Sequence, residues 1–583
     1  MDRRVIVATL CTDTEPDTPL FTICAIYAPS GDPTARNRFL LNTLRLPFFQ
    51  KPEQDFILLG DFNYHHHVRQ SAPTTWKNWI TTNALNIMTP GNAAPMPTFS
   101  NHRSRTTIDY IFASPSLTTN IEYPQHNYLN RFWTDHNLLS CQINLEAFET
   151  GQGVWRMNTM LLQDKKIRDL IYRTVDEDLE DLAPLPTTSA WEELKAHLQR
   201  VLQEEGRAKA KECRALGSLL QRRRDYLLRR ISWYKEAPQP NLTAIKEMET
   251  ELEETERRLD GMLEKVMTSL AIRTQTKWQD LGERCQTKRN IIRLRCPATQ
   301  TYVTDPTGLC RVSRAFYSKL YTPDPVDEEA IQELIDSLPN LAKVDREAAK
   351  GLCEKISDEE IRNALDLCPS AKAPGLDGFP FEILRVLCSH QGFFALFSKV
   401  LNNALEKADI PESWQHTMMI LLHKKGDAAD LGNWRPLSLI NSDAKVFTKI
   451  ITLRLQGVMD NLIGPCQTGF VRNRLIADNG LVMQAIREYC RKHKEEGMGV
   501  LFDQEKAYDR VHPRYLRKVM VAMGFPEEFT EAIFTLFFGT NIHLNINGYL
   551  AQPFLQQRGL RQGDPLSPLL FNIAIEPLIQ SII

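Results

Sequence analysis

The sequence predicts a multidomain α/β protein, with strand-rich segments on both sides of a helical middle. The chain has 583 residues, which is more than one hydrophobic core usually holds. Short apolar and β-branched runs occur near both ends, whereas apolar residues recur at helical spacing from Trp155 to about Pro339. We therefore divide the chain into domains at residues 1–148, 149–345 and 346–583.

The composition excludes several classes of protein. The 42% hydrophobic and 24% charged residues are typical of a globular chain, and the net charge of -2 neither favours nor excludes nucleic acid as a partner. The twelve cysteines form no C-x-x-C pair, so we expect no zinc site of the usual spacing, and reduced thiols inside a cell. No apolar run approaches the roughly 18 residues of a membrane span, so we expect no membrane partner.

Strands of the first domain end in polar residues. The β-branched runs at residues 4–10 and 21–27 are separated by a turn-rich segment and predict a strand pair. The apolar run at residues 55–60 predicts a buried strand. Asp61 and Asn63 follow directly, so both are expected where this strand emerges.

Asp109 lies within another apolar strand, residues 107–112. A lone buried carboxylate is costly, so Asp109 needs a partner. His136 can supply it, because a carboxylate fixes the tautomer of an imidazole that must touch a phosphate. The three consecutive histidines at residues 65–67 favour a solvated loop, since neighbouring side chains on a loop cannot all face one metal ion.

Four motifs of the first domain resemble the endonuclease/exonuclease/phosphatase family, in the version found in non-LTR (LINE-type) retrotransposon proteins. They are Tyr27-Ala-Pro-Ser30, Gly60-Asp-Phe-Asn63, the strand around Asp109, and Asp135-His136. The resemblance implies a partial α/β sandwich of that family. It also implies that Tyr27 contacts the scissile phosphate and that Asp135 assists at the phosphate or the metal.

The same resemblance implies that Asp61 orients the attacking water with support from Asn63, and that Asp109 braces His136 against the scissile phosphate. The family also carries, upstream of its tyrosine motif, a glutamate that is the main metal ligand. The one glutamate ahead of that motif here is Glu15, in a predicted turn. Because a hard cation then has too few oxygen ligands, we expect little or no nicking of DNA by this chain.

The middle domain is predicted to be helical and partly basic. Two helices with near-heptad apolar spacing, separated by a breaker at residues 236–241, predict an antiparallel hairpin, with a partner-binding coiled coil as the alternative. Residues 206–235 carry ten Lys and Arg against two acidic residues, and further basic residues surround Trp278. A phosphate-tracking surface and plain solvated faces both fit this pattern. The segment 315–321 is similar to the connector between nuclease and polymerase in LINE-type proteins.

Two stretches of the last domain carry its strongest motifs. The apolar run at residues 500–502 predicts a strand covered on both faces that ends at Asp503, where a carboxylate can hold a metal. In the stretch 558–568, an amide side chain precedes a glycine, which lets backbone and ligand approach closely. Ser567 is predicted to cap a helix that begins at Pro568.

These stretches resemble motifs A and B of the reverse transcriptase palm of LINE-type retrotransposons. The resemblance implies a partial fingers-palm domain of the α+β class, in which Asp503 binds both catalytic Mg2+ ions. Tyr508 would be the ring that excludes the sugar 2′-OH. Gln562 and Gly563 would line the incoming nucleotide and the templating base.

Two apolar runs at residues 418–422 and 434–439 flank a basic tip and predict a hairpin similar to the family's fingers. By that resemblance Arg435, whose planar fork suits a triphosphate, would clamp the incoming dNTP, with pairing to a carboxylate as the alternative. The aromatic-x-Asp-Asp turn that completes the family's two-metal site does not follow motif B before Ile583. We therefore expect an incomplete Mg2+ site and no polymerisation by this chain alone.

The two resemblances together imply an RNA-directed DNA polymerase with a target-DNA endonuclease module, used for target-primed reverse transcription and present here as an inactive fragment. The implied partners are an RNA template, target DNA, dNTPs and Mg2+, and only the family implies a nuclear location. One alternative is a catalytically dead nucleic-acid-binding protein that uses residues 206–235. Another is a phosphatase of small phosphoesters, which leaves the polymerase motifs unexplained.

Overall fold

The computed structural model describes residues 4–11, 19–50, 55–89, 95–101, 104–130, 132–143, 151–236, 238–239, 241–280, 290–339 and 343–583, the side chains of residues 19, 236 and 265–280 excepted. The chain forms two compact units. Unit 1 comprises residues 1–147 and 209–271, and unit 2 comprises residues 148–208 and 272–583, so the unit boundaries differ from those of the three predicted domains. Within the described residues, no helix has both the length and the hydropathy needed to cross a membrane.

Unit 1 begins with an α/β sandwich. Its elements are β1 (Val5–Cys11), β2 (Pro19–Tyr27), α1 (Pro33–Thr43), α2 (Pro47–Gln50), β3 (Phe56–Asp61), α3 (Thr74–Asn83), β4 (Leu85–Asn86), β5 (Phe99–Ser100), β6 (Arg105–Thr106), β7 (Asp109–Ala113), β8 (Ile121–Asn127) and β9 (Leu138–Ile143). Five strands form a sheet in the order β1-β2-β3-β7-β4, in which β2 and β3 are the parallel pair. Side chains of α1 and α3 cover one face of this sheet, and the β8–β9 pair covers the other. The predicted β1–β2 pair and the buried strand before Asp61 are confirmed.

Gly60 fixes the close approach of β2 and β3. Its φ is +134°, and a Cβ atom at this position would lie 1.9 Å from the carbonyl oxygen of Ile26. Glycine alone tolerates both the conformation and the contact. The strand register that results places Tyr27 opposite Asp61, and Asp61 opposite Asp109 on β7.

The helical middle consists of α4 (Lys165–Leu182), α5 (Thr187–Glu236) and α6 (Leu242–Asp280). Residues 209–271, here called the helical hairpin, contain the second part of α5 and the first part of α6. Leu227 and Ile231 of α5 pack against Leu252 of α6, and Lys235 pairs with Glu249 at 2.8 Å. The predicted antiparallel hairpin is thereby confirmed, and it belongs to unit 1.

Unit 2 combines a small sheet with a large helical core. Its remaining elements are β10 (Leu294–Arg295), β11 (Tyr302–Val303), α7 (Pro306–Leu320), α8 (Glu328–Asp336), α9 (Arg346–Cys353), α10 (Asp358–Leu367), α11 (Phe381–Leu387), α12 (Gln391–Lys407), β12 (His416–His423), β13 (Trp434–Leu439), α13 (Ser442–Gln456), α14 (Met459–Leu462), α15 (Ile476–His493), α16 (Pro513–Ala522), α17 (Glu527–Phe537), β14 (Thr540–Ile546), β15 (Tyr549–Leu550), β16 (Phe554–Gln556) and α18 (Ser567–Ile582). The sheet order is β13-β12-β14-β15, with β16 also paired to β14. The predicted hairpin of β12 and β13 is confirmed. Residues of α7 pack against the sheet, while α10 to α13 and α16 to α18 form the main apolar core.

A buried ion cluster joins three distant segments of unit 2. Lys195 Nζ on α5 lies 2.7 Å from the nearer carboxylate oxygens of both Asp377 and Asp443. The indole of Trp191 donates a hydrogen bond to Asp443 at 2.9 Å. Burial lowers the pKa of Lys195, but the two carboxylates outweigh burial and hold that pKa above its ordinary value. The ammonium group therefore stays charged inside the core.

Candidate active sites

The polar ends of neighbouring strands meet in one pocket of unit 1. The predicted residues Tyr27, Asp61, Asn63, Asp135 and His136 all line it. The sixth, Asp109, contacts His136 at the start of β7. The structure thus brings together every residue that the sequence predicts for a nuclease site, while the role of each stays a prediction.

His136 and Asp109 form the central pair of this pocket. Nδ1 of His136 lies 2.9 Å and 3.1 Å from the two carboxylate oxygens of Asp109, which confirms the partner expected for this carboxylate. The backbone N–H of Asp109 donates to Oγ1 of Thr98 at 3.0 Å, and the ring of Phe99 packs edge-on against the imidazole. The hydrogen bond to Asp109 raises the pKa of His136 above its ordinary value, against an opposing effect of burial. The hydrogen bond to Asp109 therefore stabilises the charged form of the imidazole, the form that suits an anionic phosphate.

Asp61 is held by Asn63, two residues further along the chain. The backbone and side-chain amides of Asn63 donate to the carboxylate of Asp61 at 2.9 Å and 3.0 Å, and the side-chain amide also donates to the carbonyl of Ala28. Asn63 adopts a left-handed backbone conformation with φ of 52°, which asparagine tolerates better than most residues. Burial raises the pKa of Asp61 to about 6, despite the opposing hydrogen bonds from Asn63.

The donor groups of this pocket fit a divalent cation. One ligand atom from each of Asp61, Asp109 and His136 lies within 4.8 Å of the other two. Two carboxylates and an imidazole are ligands that such ions accept, although hard cations prefer more oxygen atoms. Because the imidazole of His136 is already hydrogen-bonded to Asp109, the carboxylates of Asp61 and Asp109 would hold the ion, and its chemistry there would be to polarise a phosphate oxygen and to acidify water.

The pKa of Asp61 predicts how cation binding depends on pH. Since the ionised carboxylate is the ligand and a proton competes for it, the affinity for Mg2+ should fall about tenfold per pH unit below about pH 6 and stay constant above it. Calorimetric titration of the chain with Mg2+ between pH 5 and 8 measures this. In Asp61→Asn the dependence should disappear. An affinity that does not change across this range would contradict the prediction.

Two features of the pocket wall were not predicted. Arg36 on α1 donates to the carbonyls of Asn63 at 2.7 Å and Ser71 at 3.2 Å, and so ties the loop after β3 to the helix. The solvated loop expected at residues 65–67 is only partly correct, because the ring of His66 packs 5.4 Å from that of Phe112 and burial lowers its pKa to about 4. Neither the hydrogen bonds of Arg36 nor the ring packing of His66 can be predicted from residue spacing in the sequence.

The strand predicted at residues 500–502 is wrong. These three residues form no strand and expose 62%, 94% and 90% of their surface. An apolar run becomes a buried strand only where another strand supplies its backbone partners, and no strand among the described residues pairs with this run. Asp503 is accordingly exposed, and its predicted metal-binding role rests on the motif alone.

The other predicted residues of motifs A and B do converge. The carbonyl of Tyr508 accepts a hydrogen bond from the backbone of Leu560 at 2.8 Å, and its ring stacks on Phe571 at 5.0 Å. Asp509 of motif A lies where the two motifs meet, and the sequence patterns did not predict a role for it. Its buried carboxylate accepts a hydrogen bond from the side-chain amide of Gln562 at 3.2 Å.

Tyr321 completes this arrangement, because its hydroxyl donates to Asp509 at 3.0 Å. Tyr321 ends the connector-like segment 315–321, so this segment packs against the motifs that the resemblance assigns to nucleotide binding. Burial raises the pKa of Asp509, although the hydrogen bond from Tyr321 opposes that effect. The signal for Asp509 was present in the sequence, as an acid within a motif, but spacing alone did not show where it points.

Gly563 and Arg435 both lie at β13. Gly563 has φ of +105°, and a Cβ atom there would lie 3.1 Å from the carbonyl oxygen of Ser438, which explains the glycine. Arg435 is exposed on the same strand, in keeping with either role considered for it.

Ser567 is not the predicted cap, because α18 begins at Ser567 itself and the hydroxyl donates to the carbonyl of Arg561.

The basic segment 206–235 is partly neutralised by acids of α6. Arg223 pairs with Glu251, Lys235 with Glu249, and the buried Arg224 with Glu256. The segment is therefore less positive than its sequence indicates. The side chain of Trp278 and the predicted basic residues 284, 288 and 289, like Glu15, lie outside the described residues.

Comparison with protein families matches both parts of the chain. Residues 21–140 match a family described as endonuclease-reverse transcriptase, and residues 422–583 match the reverse transcriptase (RNA-dependent DNA polymerase) family. The first match contains every residue that lines the pocket of unit 1, whereas the helical hairpin lies outside it. The second match contains motifs A and B. The order of the two domains agrees with the order of the motifs.

Curated relatives come from retrotransposable elements. The chain is 28% identical to the transposon TX1 uncharacterized 149 kDa protein of Xenopus laevis, over 96% of this chain and 43% of that protein. It is 25% identical to the retrovirus-related Pol polyprotein from type-2 retrotransposable element R2DM of Drosophila melanogaster, over 36% of this chain and 19% of that protein. The chain thus spans less than half the length of these relatives.

Proposed function

Since the chain joins an endonuclease domain to a reverse transcriptase domain, as proteins of non-LTR, LINE-type retrotransposons do, we propose that it serves target-primed reverse transcription. In this proposal unit 1 nicks target DNA. The reverse transcriptase domain would then contribute to extending the new DNA end with dNTPs along an RNA template, a step for which the Mg2+ site of this chain alone is expected to be incomplete. We propose a nuclear location on the family resemblance alone.

One observation carries the nuclease half of the proposal. Asp61, Asn63, Asp109 and His136 come from separate parts of unit 1, yet they converge in one pocket with a hydrogen-bonded His–Asp pair. A stabilising role alone gives no reason to place two carboxylates and an imidazole around an open cavity. Burial also raises the pKa of Asp61 to about 6, and a strongly shifted carboxyl pKa in an open pocket is typical of a functional site.

The chain's own residues supply most of the proposed reaction. Asp61, ionised above its pKa of about 6, accepts a hydrogen bond from the attacking water and orients it. The amides of Asn63 hold that carboxylate in place. His136, whose charged form the hydrogen bond to Asp109 stabilises, donates a hydrogen bond to a phosphate oxygen and stabilises the charge that develops there.

Mg2+ is the cation we propose, because carboxylate oxygens and phosphate are its usual ligands. Its contribution would be Lewis-acid polarisation of the phosphate. The two carboxylates of Asp61 and Asp109 form a sparse ligand set for a hard cation. We therefore propose slow nicking rather than fast turnover.

The polymerase half rests on the convergence of Tyr508 with Gln562 around Asp509. By the motif resemblance, Tyr508 faces the sugar of the dNTP, while Gln562 and Gly563 face the templating base. Arg435, exposed on β13, is proposed to clamp the triphosphate. The salt-dependent nucleic-acid binding of the alternative function would use a segment in which three cations are already paired, so we favour the enzymatic proposal.

Plasmid nicking tests the proposal. The purified chain should slowly convert supercoiled DNA to nicked circles in Mg2+, and Asp61→Asn should abolish the conversion. Asp32→Asn is the matched control, because Asp32 caps α1 outside the pocket and asparagine caps a helix equally well. Absence of nicking in both Mg2+ and Mn2+, or unchanged nicking by Asp61→Asn, would count against a nuclease.

A further inference from the structure

Arg224 is a cation of the helical hairpin that cannot serve as a free nucleic-acid contact. Its side chain is 1% exposed, and its Nε donates to Glu256 at 2.9 Å. The guanidinium also lies 4.9 Å from the centre of the Tyr128 ring. A buried arginine is costly unless it is paired, so this site is built to hold the charge in place.

The same guanidinium reaches the nuclease pocket through one neighbour. Nη2 of Arg224 donates a hydrogen bond to the side-chain oxygen of Asn137 at 3.3 Å, and Asn137 directly follows His136. The side-chain amide of Asn137 donates to the carbonyl of Pro97 at 2.9 Å, and its backbone N–H donates to the carbonyl of Thr98 at 2.7 Å. Asn137 is 5% exposed, so these bonds are protected from water.

Thr98 connects this network to the other half of the catalytic pair. Its hydroxyl oxygen accepts hydrogen bonds from the backbone N–H groups of Ile108 and Asp109, both at 3.0 Å. The peptide around Thr98 is therefore bonded to Asn137 on one side and to Asp109 on the other. The position of His136 relative to Asp109 depends on both attachments.

Other contacts fasten the hairpin to the same region. Gln221 bonds the carbonyl of His126 and the backbone N–H of Tyr128, each at 3.3 Å. Leu220 and Leu259 pack against the ring of Tyr128. The hairpin thus covers the strand end and loop that lead to His136, and it lies outside the matched endonuclease family, residues 21–140.

We propose that Arg224 is a positioning residue for the nuclease site: through Asn137 it holds His136 in hydrogen-bonding register with Asp109. This inference rests on the proposed nuclease function. It assigns the hairpin a part in DNA cleavage that differs from both the phosphate-tracking surface and the solvated faces considered from its sequence. Loss of Arg224 should loosen the imidazole without removing any group that touches the DNA.

The test replaces the whole buried pair, because removing Arg224 alone leaves Glu256 as an unpaired buried charge. In Arg224→Met/Glu256→Met, single-turnover nicking should slow about tenfold to a hundredfold, with the Kd for DNA unchanged, since small misplacements of a catalytic group act on the chemical step. The matched control is Arg223→Met/Glu251→Met, which removes the neighbouring ion pair on the exposed face of the same hairpin. The control should nick at the unaltered rate.

A spectroscopic signature separates positioning from general stability. In histidine-labelled chain without metal, the low-field Nδ1–H proton of His136, assigned with His136→Asn, should weaken or disappear in the buried-pair variant and persist in the control. Asn137→Ala should produce the same loss. Adding Asn137→Ala to the buried-pair variant should weaken the Nδ1–H resonance little further, because the effects of residues that act through one route are not additive.

The outcomes decide between the two proposals. A resonance and a nicking rate that both survive removal of the buried pair would overturn the positioning role, even if the melting temperature falls. If the chain nicks no DNA, the nuclease proposal fails, but the resonance still shows whether Arg224 positions His136. A weaker affinity for DNA with an unchanged cleavage step would instead identify Arg224 as part of a binding surface and overturn the inference.

Discussion

His136→Ala should lower the rate of DNA nicking by about 10²- to 10⁴-fold, the range usual for loss of one group that handles charge in the transition state. The substitution removes the imidazole that Asp109 holds at the pocket and whose charged form it stabilises. It also leaves Asp109 without its hydrogen-bond partner at the imidazole. Conversion of supercoiled plasmid to nicked circle, followed over hours, measures the loss.

His67→Ala is the matched control for this experiment. His67 is exposed, lies in the loop after β3 and does not line the pocket. Its removal should leave the rate unchanged. Equal rates for His136→Ala and the unaltered chain would show that cleavage occurs elsewhere, whereas equal losses in both variants would point to general damage of the fold.

Lys195→Met should destabilise unit 2 by about 3 to 5 kcal/mol, the cost usual for breaking a buried ion pair from one side. The variant leaves Asp377 and Asp443 facing each other in the core without the ammonium group that lies 2.7 Å from both. The fall in the urea midpoint of the unfolding transition of unit 2, followed by tryptophan fluorescence, measures the effect.

Removing the charges of both carboxylates as well should recover much of the stability that Lys195→Met loses. In Lys195→Met/Asp377→Asn/Asp443→Asn the cluster carries no net charge, so the midpoint should move back toward that of the unaltered chain. Arg491→Met, which removes an exposed pair with Glu488 on α15 of the same unit, should leave the midpoint unchanged. A Lys195→Met chain as stable as the unaltered one would mean that the cluster is hydrated rather than buried.

The nuclease site was largely predictable because its residues follow local rules. A buried apolar strand must end where its first polar residue emerges, which located Asp61. The cost of burying a carboxylate required a partner for Asp109, and His136 is that partner. Both inferences need only the chain's own alternation of apolar and polar residues.

The failures arise where burial depends on a distant segment. Residues 500–502 read as a buried strand, but burial requires a neighbouring strand that local sequence does not specify. The burial of Arg224 fits neither the phosphate-tracking surface nor the solvated face considered for residues 206–235, because sequence shows its charge and not its pairing with Glu256. Asp509 was overlooked for the converse reason, since only the packing of α7 reveals that Tyr321 bonds to it.

Gly60 has a consequence for the activity of sequences that lack it. A single added methyl group would collide with the backbone of Ile26 and force β2 away from β3. Tyr27 would then lie farther from Asp61, although neither residue had changed. A chain with alanine at position 60 should therefore lose the proposed nicking activity in one step, so this position offers a single-residue marker for telling inactive sequences from competent ones.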